Sequence, residues 1–197
     1  MDRRIKYTKK VIKDSFLELL EEKDITKVTV SELCEIADIN RATFYRYYID
    51  IFDLLEKIKV EFVKEIQDSY KDFSSDQKTL YDYVLALLQV CSNNKKLVKI
   101  LFSTKQSSYF LDDILEDAYE RCKAKWEKDI NNIKEEVEEY ATVFIFNGTL
   151  GIVNYWIQNN FDKNIEEVAR SVIELSYYGT NKFIYNNDLN KKKNSII

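Results

Sequence analysis

The sequence of 197 residues contains no proline and no histidine, and only three glycines and three cysteines. Proline and glycine interrupt helices most often, so their scarcity, together with apolar residues that recur at spacings of three and four, predicts an all-α protein. Without histidine the chain lacks the commonest general base, and the sequence shows neither a glycine-rich phosphate loop nor a nucleophile elbow. We therefore expect no enzyme activity, no cofactor and no metal site.

The three cysteines, Cys34, Cys91 and Cys122, are widely spaced and show no metal-ligand spacing. This usage favours a reducing compartment over a disulfide framework. We expect small buried hydrophobic residues at these positions, with a redox-sensing thiol as the alternative.

The start of the chain shows no pattern of an export signal, and the most apolar run, residues 141–157, contains two asparagines and two glycines. That run falls short of the roughly 18 clean apolar residues that a membrane span needs. We interpret it as a buried helix and expect a cytoplasmic protein.

The net charge of −4 conceals a local excess of positive charge at one end. Between residues 3 and 13 the chain is basic with no acidic residue, and residues 39–48 also carry two arginines and no acid. Such a local basic footprint is typical of a surface that meets a phosphate backbone. The basic residues are Arg3, Arg4, Lys6, Lys9, Lys10, Lys13, Arg41 and Arg46.

Residues 29–48 predict two short helices joined by a tight turn. Thr29 has the character of an N-cap, and Glu32 stands three residues later at the capping-box spacing, from which it would reach back to the Thr29 amide. Asp38 and Ile39 form the turn, and Asn40 caps the next helix. That helix is only about two turns long, so it needs anchoring by packing against other helices.

The remaining pattern predicts further helices and a division into three parts. Phe44 and Tyr48, four residues apart, are the expected anchors of the short helix. Domains are predicted at residues 1–49 and 50–186, followed by a flexible tail at 187–197. Predicted helices outside 29–48 cover about 4–22, 50–73, 76–92, 95–102, 107–129, 134–159 and 165–185, the last capped by Asn164, giving about nine in all. The predicted inward residues of the helix at 50–73 are Phe52, Leu55, Ile58, Phe62 and Ile66.

The motif T-V-x-x-L-C-x-x-A-x-I-N-R-A-T-F-Y-R-Y-Y, followed by D-I-F-D-L-L, closely resembles the DNA-binding domain of the TetR family of bacterial transcriptional regulators. The later segment F-N-G-T-L-G-I-V-N-Y-W-I-Q-N-N-F-D-K-N-I-E-E-V is similar to the C-terminal ligand and dimer domain of one subgroup. The resemblance implies a homodimer that places two recognition helices in successive major grooves of a near-palindromic site. Half-sites one turn apart lie about 34–36 Å from each other.

Within the recognition helix, Arg41 is the expected base reader, because a guanidinium can bond O6 and N7 of guanine; a phosphate clamp is the alternative. Ala42 and Thr43 are expected near a thymine methyl, since family members read bases from the matching positions. Tyr45 and Tyr47 are expected at phosphates, with packing as the alternative for Tyr47.

Residues outside that helix are expected to add phosphate contacts. Ser31 and the amide end of its helix suit a phosphate, and Arg46 acts electrostatically. The N-terminal arginines and lysine form either an arm toward the backbone or minor groove, or a solvated basic end. The full predicted DNA-binding set is Arg3, Arg4, Lys6, Thr29, Ser31, Asn40, Arg41, Ala42, Thr43, Tyr45, Arg46 and Tyr47.

The chain departs from the family pattern at three positions. Asp38 stands where many relatives have glycine, and aspartate tolerates the left-handed turn at small cost. Ile51 matches a lysine that grips phosphate in many relatives, and Ile49 occupies another position that is often basic. We therefore expect modest DNA affinity that depends on the N-terminal cluster.

The second domain is interpreted as a sensor and dimer interface, with ordinary core packing as the alternative for its aromatic residues. Asn147 lies within an apolar helix, where a buried amide needs partners. Gly148 and Gly151 each cost about 1 kcal/mol in mid-helix, so close approach of another helix is expected. The predicted ligand-binding residues are Phe102, Tyr109, Tyr119, Trp126, Phe144 and Asn147. The predicted dimer-interface residues are Gly148, Gly151, Tyr155, Ile173 and Tyr177.

The leading hypothesis from the sequence is a homodimeric DNA-binding repressor whose second domain binds a small-molecule effector. The alternative is a regulator or interaction module that a protein partner controls, because the subgroup resembled includes activators of dihydroxyacetone kinase operons that work with a protein partner. An enclosed and partly polar cavity in the second domain would favour the small-molecule effector.

Overall fold

A computed structural model of the chain describes residues 3–69, 71, 79–103 and 135–194. Within these ranges the chain is all-α, with eight α-helices, one short 3-10 helix at Ile25–Lys27 and no strand, which confirms the predicted fold class. The helices are α1 (Arg3–Glu22), α2 (Val30–Ile36), α3 (Arg41–Tyr45), α4 (Ile51–Ser69), α5 (Leu80–Asn93), α6 (Lys95–Ser103), α7 (Glu135–Gln158) and α8 (Ile165–Asn194). The helix predicted at 107–129 lies outside the described residues.

Contacts between Cα atoms divide the chain into two compact units. The first comprises Met1–Asp68 and Asn94–Lys105, and the second comprises Ser69–Asn93 and Gln106–Ile197. Helix α6 therefore groups with α1 to α4, although it follows α5 in sequence. The predicted domain boundary at residue 50 remains a prediction, and α8 continues to Asn194 through most of the predicted tail.

The first unit is built around the buried side chains of α1, α2, α3 and α4. Phe16 and Phe44 are completely buried, and Leu33 and Leu54 fill the space near them. Helix α6 is tied to α1 by Lys96, whose Nζ lies 3.5 Å from Glu18 Oε1 and 3.4 Å from Glu21 Oε2. Asn94 Nδ2 also donates to Glu65 Oε2 of α4 at 3.1 Å.

The predicted register of α4 is wrong at its start. Phe52 was expected inward but is 54% exposed, and Leu55 is only half-buried. The buried positions follow one another at spacings of three and four residues. They are Ile51, Leu54, Ile58, Phe62 and Ile66. An apolar run that contains both Ile51 and Phe52 is compatible with either register, and the packing of α4 within the first unit decides between them.

In the second unit, α8 packs against both α5 and α7. The turn between α7 and α8 is closed by Trp156, whose Nε1 donates to Lys163 O at 2.8 Å and whose ring meets Phe161 edge to face at 4.7 Å. Asn160 and Phe161 both have φ of 59°, in the left-handed region. The predicted cap at Asn164 is confirmed, because its Oδ1 accepts from Glu167 N at 2.8 Å.

The apolar run at 141–157 forms most of α7, and three of its residues, Ala141, Trp156 and Ile157, are buried. Among the described helices none is both long and apolar enough to cross a membrane.

Candidate DNA-binding site

Helix α2 begins at the cap that the sequence predicted. Thr29 Oγ1 accepts from Glu32 N at 3.3 Å, which satisfies one of the amides left free at a helix start. The reciprocal half of the capping box is wrong, because the Glu32 carboxylate pairs with Lys23 Nζ instead of the Thr29 amide. Lys23 follows the end of α1, so this ion pair joins α1 to α2.

The turn between α2 and α3 follows the predicted path through Asp38 and Ile39. Asp38 has φ of 49°, the left-handed conformation that many relatives of the motif achieve with glycine. Ile39 N donates to Cys34 O at 3.0 Å, and Asp38 N donates to Glu35 O at 3.2 Å, so the last carbonyls of α2 are satisfied. Aspartate is tolerated here, and the chain turns sharply into α3.

Helix α3 is anchored on one face and exposed on the other. Phe44 and Tyr48 are buried with ring centroids 5.5 Å apart, as the spacing of four predicted. At the start of the helix, Asn40 Oδ1 accepts from Thr43 N at 2.7 Å and from Thr43 Oγ1 at 2.9 Å, which confirms the predicted cap. Because the Thr43 hydroxyl donates its proton there, its oxygen can act only as an acceptor in any further contact, and its methyl group carries no hydrogen bond.

The outward face of α3 contains four of the residues predicted to contact DNA. Arg41, Ala42, Tyr45 and Arg46 are exposed, whereas Thr43 and Tyr47 are half-buried. The helix thus presents one guanidinium at its first residue, a second at its end and a tyrosine hydroxyl between them. This set can donate several hydrogen bonds to an anionic surface.

Arg41 is held in place by a residue of α2. Its Nη2 donates to Ser31 Oγ at 2.6 Å, and both side chains are exposed. Burial raises the pKa of the nearby Cys34 thiol above its ordinary value, and the positive charge of Arg41 offsets part of this rise. The contact brings two predicted DNA-binding residues from different helices together.

The basic first turns of α1 extend this surface. Arg3, Arg4 and Lys6 are exposed, and Lys9 Nζ lies 5.8 Å from the centroid of the Tyr47 ring, which brings α1 to the end of α3. The contact between Lys9 and Tyr47 was not predicted, because it depends on how α1 and α3 pack rather than on spacing within either segment.

A lysine of α4, Lys57, places a cation beside the connection from α3 to α4, and this was not predicted from the sequence. Ile51 is only 5% exposed and belongs to the core, and Ile49 is 77% exposed, so neither position offers a charge. Lys57, one and a half turns along α4, extends back toward this connection, and its Nζ donates to Tyr47 O at 3.0 Å. Its long side chain is what allows a residue of α4 to reach the end of α3.

The described residues include only three of the six residues predicted to bind a ligand. Tyr109, Tyr119 and Trp126 lie outside them. Phe102 is half-buried on α6 in the first unit, whereas Phe144 and Asn147 are exposed on α7 in the second. The expectation that Asn147 is buried does not hold within one chain, because its Nδ2 reaches only Val143 O of its own helix at 2.8 Å. The ligand-binding assignment stays a prediction.

Three of the predicted interface residues are open to the outside of the chain. Gly148 and Gly151 are exposed, and a Cβ added to either would meet no atom of the described residues within 4 Å; Tyr155 is 70% exposed. Ile173 is half-buried, and the side chain of Tyr177 lies outside the described part. The glycine that does allow close approach within the chain is Gly179, where a Cβ would lie 3.1 Å from Phe144 Cε1.

Helices α7 and α8 share a set of large apolar side chains that are more than half exposed. On α7 these recur at spacings that keep them on one side of the helix, and Gly148 and Gly151 lie on the same side. We call this set the α7–α8 face: Tyr140, Val143, Phe144 and Tyr155 of α7, with Leu175 and Tyr178 of α8. Exposed apolar side chains of this kind are candidates for contact with another chain.

An open concavity of about 400 Å³ lies beside the turn between α7 and α8. Its lining combines Trp156 and Val168 with the charged residues Lys163, Glu167 and Arg170. None of the predicted ligand-binding residues that the structure describes lines it. Among the described residues, no group of histidine, cysteine or carboxylate side chains is placed to hold a metal ion.

The sequence of the chain matches a family model and a curated protein, and both are described as transcriptional regulators. A TetR family model described as "Transcriptional regulator C-terminal region" matches residues 78–193. The chain is 25% identical over 170 residues to the uncharacterized HTH-type transcriptional regulator YxbF of Bacillus subtilis, covering 83% of this chain and 43% of that protein. The chain therefore spans less than half the length of this curated relative.

Two solved structures show the same fold. The dihydroxyacetone kinase operon activator DhaS has a TM-score of 0.65 at 20% identity, over 90% of this chain and 98% of that one. SmeT, in a complex with triclosan, has a TM-score of 0.62 at 14% identity, over 88% of this chain and 91% of that one. At these identities the likeness is one of fold.

Proposed function

Because this chain belongs to the TetR family of transcriptional regulators, we propose that it acts as a homodimeric repressor. Each protomer would insert α3 into the major groove of a near-palindromic operator, and an effector bound by the second unit would weaken this binding. The observation that carries the proposal is the exposed face of α3, with Arg41 tied to Ser31 at one end of the helix and the basic turns of α1 near the other.

The DNA-binding part of the proposal rests on how charge and shape coincide. Helix α3 is anchored by Phe44 and Tyr48, so its opposite face is free to enter a groove. Arg41 suits the O6 and N7 acceptors of guanine, and the methyl groups of Ala42 and Thr43 suit a thymine methyl. Tyr45, Arg46 and the N-terminal cluster add phosphate contacts, which position the protein without reading sequence.

The homodimer is supported by the α7–α8 face. Its six large apolar residues are more than half exposed in the single chain, and the two glycines beside them leave room for another helix to approach. A two-fold pairing through this face would bury these side chains against their own copies. A two-fold dimer also matches the symmetry of a near-palindromic operator.

The effector is proposed to be a small molecule that binds the second unit. SmeT, which shares the fold, is known in a complex with triclosan, so the fold accommodates such a ligand in that protein. An effector changes DNA affinity only if it binds one conformation better than the other. DhaS is an operon activator, and a reporter gene driven by the bound DNA therefore decides the direction of regulation for this chain.

The proposal is tested with duplex DNA taken from upstream of the chain's own gene. Light scattering should give twice the chain mass of 23.5 kDa. Fluorescence anisotropy at low salt should show saturable binding, with an association constant that falls linearly with salt on a double logarithmic plot. An unrelated duplex of the same length is the control. A folded dimer that binds neither duplex at low salt would refute the DNA-binding function.

A thermal-shift screen of small molecules tests the effector separately. A compound that raises the melting temperature and weakens operator binding supports the small-molecule effector. If a protein partner captured with the intact chain changes operator binding and no compound does, the alternative of control by a protein partner replaces it.

A further inference from the structure

Lys57 makes three contacts at the connection between α3 and α4. Its Nζ donates to Tyr47 O at 3.0 Å and to Asp53 Oδ2 at 2.8 Å, and it lies 5.4 Å from the centroid of the Tyr48 ring. One ammonium group thus touches a backbone carbonyl just past α3, a carboxylate of α4 and an aromatic ring of the core.

Asp53 completes the arrangement from the other side of the connection. Its Oδ2 accepts from Ile49 N at 2.8 Å in addition to Lys57 Nζ. The Asp53 amide in turn donates to Asp50 Oδ1 at 2.8 Å, which caps α4. We call the pair formed by Lys57 and Asp53 the α4 clasp.

The α4 clasp binds backbone groups in the segment between α3 and α4, which belongs to neither helix. Helix α3 ends at Tyr45 and α4 begins at Ile51, and the clasp binds the carbonyl of Tyr47 and the amide of Ile49 between them. A five-residue helix is not stable alone, so its direction depends on what holds its ends. The other anchor nearby is the packing of Tyr48 on Phe44.

We propose that Lys57 is a positioning residue for DNA recognition, which sets the direction of α3 relative to α4 without touching DNA. The inference rests on the proposed DNA-binding function and names a residue that controls its specificity. Base readout needs the recognition helix within a narrow range of orientations, whereas binding through phosphates tolerates a wider range. Loss of the clasp should therefore lower specific binding more than nonspecific binding.

The charges of the clasp favour positioning over phosphate binding. The ammonium group of Lys57 is already paired with the Asp53 carboxylate. The hydrogen bond from Lys57 and, to a smaller extent, that from the Ile49 amide lower the pKa of Asp53, so this carboxylate is ionised at neutral pH. A phosphate would have to compete with this carboxylate for the same ammonium group. Lys57 therefore adds little net positive charge to the DNA-binding surface.

The experiment compares Lys57→Met, Lys57→Arg and Lys64→Met in the full-length protein. Methionine keeps an unbranched side chain and removes the ammonium group, and arginine keeps a cation. Lys64 is exposed on the same helix two turns further on, so Lys64→Met is matched in charge change. Dissociation constants for operator and for an unrelated duplex are measured across a range of salt concentrations, together with helical content by circular dichroism.

Lys57→Met should weaken operator binding about tenfold, leave the unrelated duplex within about twofold, and keep the salt slope of the wild type. Lys57→Arg should recover most of the operator affinity, and Lys64→Met should match the wild type. If Lys57→Met lowers both affinities and reduces the salt slope by about one, Lys57 is a phosphate ligand and the proposal is wrong. Unchanged operator affinity also overturns it.

Hydrogen exchange on the free protein tests the clasp without DNA. Lys57→Met should speed exchange of the amides of Tyr48 and Ile49 by about tenfold relative to those in the middle of α1. Unchanged exchange at these amides overturns the positioning role even if DNA binding falls. If the wild type binds no duplex, the proposed function fails, and the exchange result still decides whether Lys57 holds this connection.

Discussion

Gly148 and Gly151 offer a test in which the single chain and the dimer predict opposite outcomes. A glycine in the middle of a helix costs about 1 kcal/mol relative to alanine. In the single chain a Cβ at either position would meet no atom of the described residues within 4 Å. If the α7–α8 face stayed open to water, replacing one of these glycines with a good helix former such as leucine would stabilise the protein by about 1 kcal/mol.

The expected result differs if this face pairs with a second copy of the chain. Side chains inserted into a packed interface typically cost about 1–3 kcal/mol each. We expect Gly151→Leu to raise the dimer dissociation constant by about 5- to 150-fold, because 1.4 kcal/mol corresponds to a tenfold change. The dissociation constant is measured by analytical ultracentrifugation over a dilution series, and thermal unfolding is followed in the same samples.

Gly179→Ala is the matched control on α8. There the new Cβ would lie 3.1 Å from Phe144 Cε1 of the same chain, so the Phe144 ring has to move and the cost arises within one protomer. Alanine is favoured over glycine in a helix by about 1 kcal/mol, and the shift of the exposed Phe144 ring offsets part of this gain, so we expect little change in the unfolding temperature of this variant. A Gly151→Leu protein that dimerises as tightly as the wild type and unfolds at a higher temperature would refute pairing through the α7–α8 face.

Three further predictions concern the first unit. Phe44→Ala should lower the free energy of unfolding by about 3–5 kcal/mol in urea titrations, because the ring is completely buried, whereas Tyr45→Ala should change it by no more than about 0.5 kcal/mol. Burial raises the pKa of Tyr48 to about 12 from its ordinary value of 10.0, so the unfolded state loses this proton first and stability should fall by up to about 3 kcal/mol between these pH values. Tyr48→Phe should remove that part of the pH dependence in alkaline denaturation. Arg41→Ala should relax base preference at one operator position by about 1–3 kcal/mol in competition binding, whereas Arg4→Ala should weaken all sequences and reduce the salt slope by about one.

Features that depend on a few neighbouring residues were predictable from the sequence. The caps at Thr29 and Asn40 are predictable because each side-chain oxygen lies three residues before the backbone N–H that donates to it. Both caps are confirmed. The left-handed turn at Asp38 follows from the family resemblance, because many relatives carry glycine at the matching position. The reciprocal contact of Glu32 was predicted wrongly, because a capping box competes with any cation that the fold brings nearby, and Lys23 is such a cation.

Features that depend on packing between helices were not predictable from one sequence. The predicted register at Phe52 is wrong because neighbouring apolar residues fit either register until the packing of the helix is known. The close approach between helices of one chain occurs at Gly179 rather than at Gly148 or Gly151. A glycine in a helix indicates that space is needed, but whether that space is filled by the same chain or by another one depends on the tertiary arrangement.

Ile51 is a position where the residue type is read from the sequence but its role depends on the packing between helices. Where many relatives place a lysine that grips phosphate, this chain places a side chain that fills the core of the first unit. The loss removes one phosphate contact at the start of α4, and Lys57 does not replace it, because its ammonium group is engaged by Asp53 and by the carbonyl of Tyr47. If the proposed function holds, we expect affinity for DNA to come largely from the exposed cations of α1, and we expect α4 to contribute by holding α3 in position. Substitutions in α1 should consequently change the salt dependence of binding, and those in the α4 clasp should change the ratio of specific to nonspecific binding.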